Sequence, residues 1–177
     1  SIDAGATHIT VEIQRGGITY IRITDNGCGI EKDDVRKAFL SHATSKINSA
    51  DDLDSISTLG FRGEALPSIA SVSDMTIDTS NGTDKNGWQI DCNTGEIKPS
   101  EWENGTRMRV RNLFAKTPAR LKFLRGDRAE MMSVLDVVKR LAMARPDVGF
   151  VLNDKWRFVK DEDMQARIAS VMGADVV

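Results

Sequence analysis

The segment from Asp25 to Ile30 reads D-N-G-C-G-I and combines a carboxylate with two glycines at the end of a predicted strand. A carboxylate there could accept a hydrogen bond from an exocyclic amine such as that of adenine. Gly27 and Gly29 would let the backbone approach a flat ligand closely. Asp-Asn-Gly is also common in ordinary hairpin turns, and taken alone the segment favours that interpretation.

A second segment, residues 60–66, reads G-F-R-G-E-A-L and is predicted to lead into a helix. Successive backbone N–H groups at a glycine-rich helix start can bind an anion, and Arg62 could add a charged contact to a phosphate. The segment is not a Walker A loop, because no G-K-[ST] follows. A simple turn into the helix explains the same glycines equally well.

The third segment lies in residues 41–59, a long loop with little periodicity. Thr44, Ser45 and Lys46 offer two hydroxyls and a cation, which would suit a lid over phosphates. Taken alone, an ordinary solvated loop is the better interpretation. His42 is more plausibly structural than catalytic, since nothing pairs it with a nucleophile and an orienting acid.

Alternating apolar residues predict strands, and apolar residues at helical spacing predict helices. The predicted strands cover residues 9–13, 18–24, 74–79, 87–92, 106–112, 148–152 and 156–159, and the first two form a hairpin through the turn Arg15-Gly-Gly17. Helices are predicted from about Lys32, at 66–70, at 128–144 with Asp127 as its cap, and at 162–172. Strands and helices in mixed order predict a two-layer α/β sandwich.

Composition limits the class of protein. A chain of 177 residues with 28% charged and 40% hydrophobic residues predicts one folded domain. Without an apolar run of about 18 residues, no membrane contact is expected, and the net charge of −2 gives no global attraction to nucleic acid. Cys28 and Cys92 lack the spacing of a disulfide scaffold or zinc site, which favours a reducing, intracellular location.

The three segments in this order, followed by Gly105-Thr106 at a strand start, resemble the GHKL ATPase superfamily, and in detail its MutL branch. The matching segments are S-I-D-A-G-A at 1–6, D-N-G-C-G-I at 25–30, H-A-T-S-K at 42–46, G-F-R-G-E-A-L at 60–66, T-P-A-R at 117–120 and K-F-L at 122–124. The resemblance implies the Bergerat ATPase fold, with a mixed, mostly antiparallel sheet covered by helices on one face.

The resemblance also implies a site for ATP and Mg²⁺. Asp25 would bind the adenine amine, Gly27 and Gly29 would shape the base pocket, and Thr106 would support Asp25, often through water. The lid would comprise Thr44, Ser45 and Lys46. The phosphate-binding helix start would comprise Gly60, Phe61, Arg62, Gly63, Glu64, Ala65 and Leu66.

One departure concerns the start of the chain. The family pattern is E-x-x-x-N-S-x-D-A, in which the glutamate activates water and the asparagine holds Mg²⁺, and Ser1 corresponds to its serine. We therefore expect residues 1–177 to be a truncated ATPase domain whose catalytic and metal-binding residues lie just upstream, and Val177 to lie near the start of the following transducer domain. This chain alone should not hydrolyse ATP, whereas the full protein would be a weak Mg²⁺-dependent ATPase.

In biological terms the resemblance implies DNA mismatch repair, with ATP as a conformational switch that couples mismatch recognition to downstream repair. The implied partners are a MutS-type mismatch sensor and a second copy or a paralogue, in a homodimer or heterodimer. The location would be the cytoplasm in a bacterium and the nucleus in a eukaryote. Two alternatives remain open: an ATP-binding interaction module without hydrolysis, and another GHKL branch such as a sensor kinase.

Basic residues suggest weak DNA contact. They form a stripe on one predicted strand and a second cluster beyond it: Arg107, Arg109 and Arg111, then Arg120, Lys122, Arg125 and Arg128. Contact through them would be directed at phosphates and independent of base sequence. The alternative is a solvated face, since acidic residues elsewhere cancel the total charge.

Overall fold

The computed structural model describes residues 1–32, 34, 65–83 and 86–173. The strands are β1 His8–Gln14, β2 Tyr20–Asp25, β3 Asp74–Ser80, β4 Gly87–Asp91, β5 Ile97–Ser100, β6 Gly105–Arg111, β7 Gly149–Leu152 and β8 Trp156–Phe158. The α-helices are α1 Ala65–Ser71, α2 Pro118–Leu121, α3 Asp127–Ala144 and α4 Met164–Met172, and short 3₁₀ turns cover Ile2–Ala4 and Arg15–Gly17. Within these ranges no helix has both the length and the apolar character needed to cross a bilayer.

One sheet of eight strands carries the fold, in the order β5-β4-β3-β6-β2-β1-β7-β8. Neighbouring strands are antiparallel except β1 and β7, which run parallel. The register sets Asp25 of β2 beside Thr106 of β6, and Thr106 beside Thr79 of β3. Three polar residues from separate parts of the chain therefore stand in one row across the sheet.

The helices pack on one face of this sheet, as the resemblance implied. Ile9, Val11 and Ile13 of β1 lie in one buried cluster with Leu135 and Val138 of α3. A second cluster joins α1 to the other half of the sheet through Ala70, Met75, Ile77, Ile90 and Val110. Burying these aliphatic side chains away from water is the main force that holds the two layers together.

Three details of the predicted elements are wrong, and one of them is the short helix α2, which was not predicted. Strand β5 was not predicted, because its four residues I-K-P-S include a proline and show no alternation. It is an edge strand paired only with β4, where proline is tolerated. Asp127 does not cap α3: the helix begins at Asp127, and the cap position is Gly126, which has no side chain to supply a capping bond.

The other face of the sheet is polar and internally neutralised. Asp78 of β3 is 1% exposed and accepts hydrogen bonds from Gln89 at 2.7 Å and Ser100 at 3.2 Å. Its other oxygen pairs with Arg107 at 3.1 Å and Arg109 at 2.6 Å. Burial alone would raise the pKa of Asp78, but the hydrogen bonds from Gln89 and Arg107, with the charges of both arginines, outweigh it and hold the pKa below its ordinary value.

An Asp78→Asn protein is expected to lose about 2–3 kcal/mol of stability at pH 7, since two largely buried guanidinium groups lose their charged partner. A carboxyl whose pKa is lowered by folding stabilises the fold above its unfolded pKa and stops doing so as pH falls through the folded pKa. The difference from the unmodified protein should therefore shrink below about pH 4. Urea denaturation at pH 7 and pH 3 measures both effects.

The matched control is Asp74→Asn, which removes a carboxylate from the same strand and face at a half-exposed position. Its neutralisation should change stability little, because exposed ion pairs contribute little. Equal losses in the two variants, or a difference for Asp78→Asn that stays constant between pH 7 and pH 3, would contradict the role assigned to Asp78.

Candidate functional site

Asp25 ends β2 on the helix-covered face and is 7% exposed. Its Oδ1 accepts hydrogen bonds from the backbone N–H of Gly27 at 2.9 Å and of Thr106 at 3.3 Å, and its Oδ2 accepts one from the Ser1 hydroxyl at 2.6 Å. A carboxylate has about four acceptor positions. The described residues use three of them in hydrogen bonds. The Ser1 ammonium also lies 3.9 Å from Oδ2, which is an ion-pair distance rather than a hydrogen-bond distance, so one position on Oδ2 remains for an amine donor.

The loop after Asp25 is fastened to the start of the chain. The side-chain oxygen of Asn26 accepts from the backbone N–H groups of Thr7 and His8, each at 2.9 Å, and its amide donates to the Thr7 hydroxyl. The N–H of Cys28 donates to the carbonyl of Ala4 at 2.9 Å. Asp25 is therefore held in a defined orientation by its own loop.

The far end of the loop is fastened to β3. The backbone N–H of Ile30 donates to the Thr79 hydroxyl at 2.8 Å, and that hydroxyl lies 3.3 Å from the Thr106 hydroxyl. Thr106 thus meets Asp25 directly through its backbone N–H, while its hydroxyl points at Thr79.

Close packing explains why glycine occupies positions 27 and 29 of the loop. Gly29 has φ of 68°, a conformation that side chains rarely adopt, and a Cβ there would overlap the carbonyl of Ser80. A Cβ on Gly27 would lie 2.9 Å from the Ala4 carbonyl. In the described structure these positions face the protein, so the glycines shape the site by letting the loop lie close against two neighbouring segments.

Several residues assigned to phosphate contact lie outside the described residues. The sequence-predicted residues outside the described ranges are Thr44, Ser45, Lys46, Gly60, Phe61, Arg62, Gly63 and Glu64. Ala65 and Leu66 are described and begin α1, as the helix start predicted. Of the predicted site, the structure brings together Asp25, Gly27, Gly29 and Thr106.

Some of the basic residues contact acidic or aromatic side chains, and others have no such partner among the described residues. Arg107 and Arg109 bond Asp78, and Arg125 pairs with Glu130 at 3.4 Å. Arg111 lies over the ring of Tyr20 and Arg120 over that of Phe114. Among the residues that the structure describes, Lys122 and Arg128 meet no acidic partner. The predicted stripe on β6 is therefore largely neutralised within the sheet.

Two residues of the site, Ser1 and Thr79, were not singled out from the sequence. Ser1 donates to Asp25, and Thr79 is fully buried between the loop and β6. A signal for Thr79 was present: Met75 and Ile77 precede it on the buried face of β3, so it is a polar residue at a position that the alternation assigns to the core.

No group of three or more His, Cys, Asp or Glu side chains that could hold a metal ion occurs within the described ranges. The described geometry combines a buried carboxylate with oriented backbone donors.

Comparison of the amino-acid sequence with known protein families identifies the family. The family model for "Histidine kinase-, DNA gyrase B-, and HSP90-like ATPase" matches residues 1–110. The DNA mismatch repair protein MutL of Rhizorhabdus wittichii is 47% identical over 184 residues, which cover 99% of this chain and 30% of that protein. MutL of Lactococcus lactis subsp. cremoris is 46% identical over 180 residues, covering 98% of this chain and 27% of that protein. The chain thus spans less than a third of the length of these curated relatives.

Comparison with solved structures gives the same relationship. The Aquifex aeolicus MutL ATPase domain complexed with ADP superimposes with a TM-score of 0.76 at 30% identity, covering 97% of this chain and 63% of that chain. The predicted fold class and the resemblance to MutL-type proteins are both confirmed.

Proposed function

Because this chain belongs to the histidine kinase-, DNA gyrase B- and HSP90-like ATPase family, we propose that it forms the nucleotide-binding part of a MutL-type DNA mismatch-repair protein. The observation that carries the proposal is the buried Asp25 carboxylate, oriented by Gly27, Thr106 and Ser1 with one acceptor position unused. The similar Aquifex aeolicus MutL ATPase domain was solved as a complex with ADP.

Adenine fits the unused acceptor position of Asp25. Its exocyclic amine supplies the hydrogen that the remaining acceptor position of Asp25 lacks, and a buried carboxylate without that partner is costly. Guanine and hypoxanthine present a carbonyl at the same ring position, so their oxygen would face the carboxylate. The base-binding end therefore selects adenine by matching a donor to an acceptor.

The phosphates and Mg²⁺ belong to the proposal through the family pattern. Thr44, Ser45, Lys46 and the segment from Gly60 to Leu66 would bind and cover the phosphates, with Arg62 as a charge-assisted donor. A bound Mg²⁺ neutralises phosphate charge. The described residues by themselves hold no group of three acidic, His or Cys side chains for such an ion, so the metal rests on the asparagine of the family pattern.

In the full protein, ATP would act as a conformational switch in mismatch repair inside the cell. Bound ATP would order the lid and bring two ATPase domains together, and hydrolysis would release them. The partners in this proposal are a MutS-type mismatch sensor and a second copy or a paralogue.

Weak DNA contact through basic side chains is part of the proposal. Lys122 and Arg128 are exposed and have no acidic partner among the described residues, which supports phosphate contact there. Arg107 and Arg109 support it less, because Asp78 already binds both guanidinium groups.

Calorimetric titration with ADP, GDP and adenosine tests the proposal. We expect saturable binding of ADP, binding of GDP at least about tenfold weaker, and weaker binding of adenosine because it lacks the phosphates. The titration uses the 177-residue chain and, in parallel, a chain extended in both directions as in the relatives. Equal affinity for ADP and GDP, or no saturable ADP binding to either chain, would refute the assignment of an adenine site.

A further inference from the structure

The hydroxyl of Thr79 lies where three segments of the site meet, and the residue is fully buried. It accepts a hydrogen bond from the N–H of Ile30 at 2.8 Å, and it lies 3.3 Å from both the carbonyl of Gly105 and the hydroxyl of Thr106. Ile30 ends the loop that follows Asp25, and the other two residues begin β6. One side chain of β3 therefore joins that loop to the strand.

The bonding capacity of a hydroxyl restricts how this junction can be arranged. A threonine hydroxyl has a single hydrogen, and the Ile30 N–H already occupies one of its acceptor positions. The hydrogen of Thr79 must go to the Gly105 carbonyl or to the Thr106 hydroxyl. Both acceptors belong to β6, which also supplies the Thr106 N–H to Asp25. Either arrangement holds Ile30 in place relative to the strand that orients the carboxylate.

We propose that Thr79 is a positioning residue for the adenine-binding end of the site. It sets the distance between the loop 25–30 and Thr106, and so the direction in which Oδ2 of Asp25 offers its remaining acceptor position. Thr79 acts through the Ile30 amide and the Thr106 hydroxyl. This role rests on the proposed adenine-nucleotide site.

The variant Thr79→Val tests this role, because it keeps the branched shape and removes the hydroxyl. We expect ADP affinity to fall about tenfold, and the preference for ADP over inosine diphosphate to shrink by a similar factor. Hypoxanthine presents a carbonyl where adenine has its amine. The ratio of the two affinities therefore reports how well the Asp25 carboxylate is aimed.

Two matched variants serve as controls. Thr79→Ser keeps the hydroxyl and should restore ADP affinity and base preference to within about threefold of the unmodified protein. Thr76→Val makes the same chemical change on the same strand but on the opposite face, beside Arg109, and should change neither quantity. A merely structural role would lower the melting temperature of Thr79→Val and leave the base preference of the folded protein unchanged; that result would overturn the proposal.

Hydrogen exchange of the Ile30 amide in the unmodified protein tests the same role without any variant, so the test does not depend on Thr79→Val folding. The Ile30 amide should exchange its hydrogen slowly without nucleotide, because it is bonded to a buried hydroxyl. Rapid exchange of that amide in the folded protein would overturn the positioning role. Failure of the unmodified protein to bind ADP would instead overturn the adenine site itself, and the role of Thr79 with it.

Discussion

An Asp25→Asn protein is expected to stay folded and to lose affinity for ADP by a factor of about 100 or more. The Oδ1 position faces two backbone N–H donors, from Gly27 and Thr106, so the amide oxygen of the new side chain must occupy it. The amide nitrogen then takes the Oδ2 position. It presents hydrogens to the adenine amine. Two hydrogen-bond donors then face each other at a buried position, which disfavours binding.

Stability should be nearly unaffected, because the amide oxygen still accepts from Gly27 and Thr106 and the Ser1 hydroxyl can rotate to accept from the new amide. Calorimetry with ADP and urea denaturation measure the two properties separately. Glu12→Gln is the matched control, since Glu12 lies on the opposite face and pairs with Arg22. Retained ADP affinity in Asp25→Asn would remove Asp25 from the base-binding site. Global unfolding would show instead that the carboxylate is needed for the fold.

Replacing Gly105 with alanine is expected to destabilise the fold by about 3 kcal/mol or more, out of a total of roughly 5–15 kcal/mol for a domain of ordinary stability. Gly105 has φ of 76°, and a Cβ there would overlap the carbonyl of Asp25 on the neighbouring strand. Relieving the overlap requires β2 and β6 to separate at the point where Thr106 donates to Asp25. ADP binding should therefore fall together with stability.

Gly95 provides a matched control. Its φ is 77°, almost the same as that of Gly105, but a Cβ on Gly95 would meet no atom within 4 Å. Gly95→Ala should cost only the backbone penalty of a left-handed alanine, about 1–2 kcal/mol. The difference between the two variants in urea denaturation isolates the steric clash. Equal losses at both positions would show that the strands adjust to the added methyl group.

The alternation of apolar residues was enough to predict most of the sheet. Period-two patterns place Ile9, Val11 and Ile13 on one face whatever surrounds them, because successive side chains of a strand point to opposite faces. Apolar residues at helical spacing predicted α3. Arg145-Pro146 predicted where it ends, because proline disfavours the helical conformation of the residue before it. Strand β5 was missed because an edge strand is determined by its partner β4 rather than by a pattern of its own.

The sequence by itself also singled out the residue that we propose as the centre of the site. Asp25, with Gly27 and Gly29, belongs to a short contiguous motif, and contiguous motifs can be recognised without knowing the fold. The segments from Thr44 to Lys46 and from Gly60 to Glu64 were identified in the same way; their placement lies outside the described residues, so their roles remain predictions.

Only the tertiary structure decided which distant residues meet these motifs. Thr106 and Asp25 are 81 residues apart, and Thr79 is 49 residues from Ile30, so their contacts depend on strand order and register. The same holds for Asp78, whose charge neutralises Arg107 and Arg109 and turns an apparent basic stripe into a closed network. Local spacing specifies which side chains share a face, whereas the pairing of distant strands specifies which of them touch, because that pairing is set by the packing of the whole sheet.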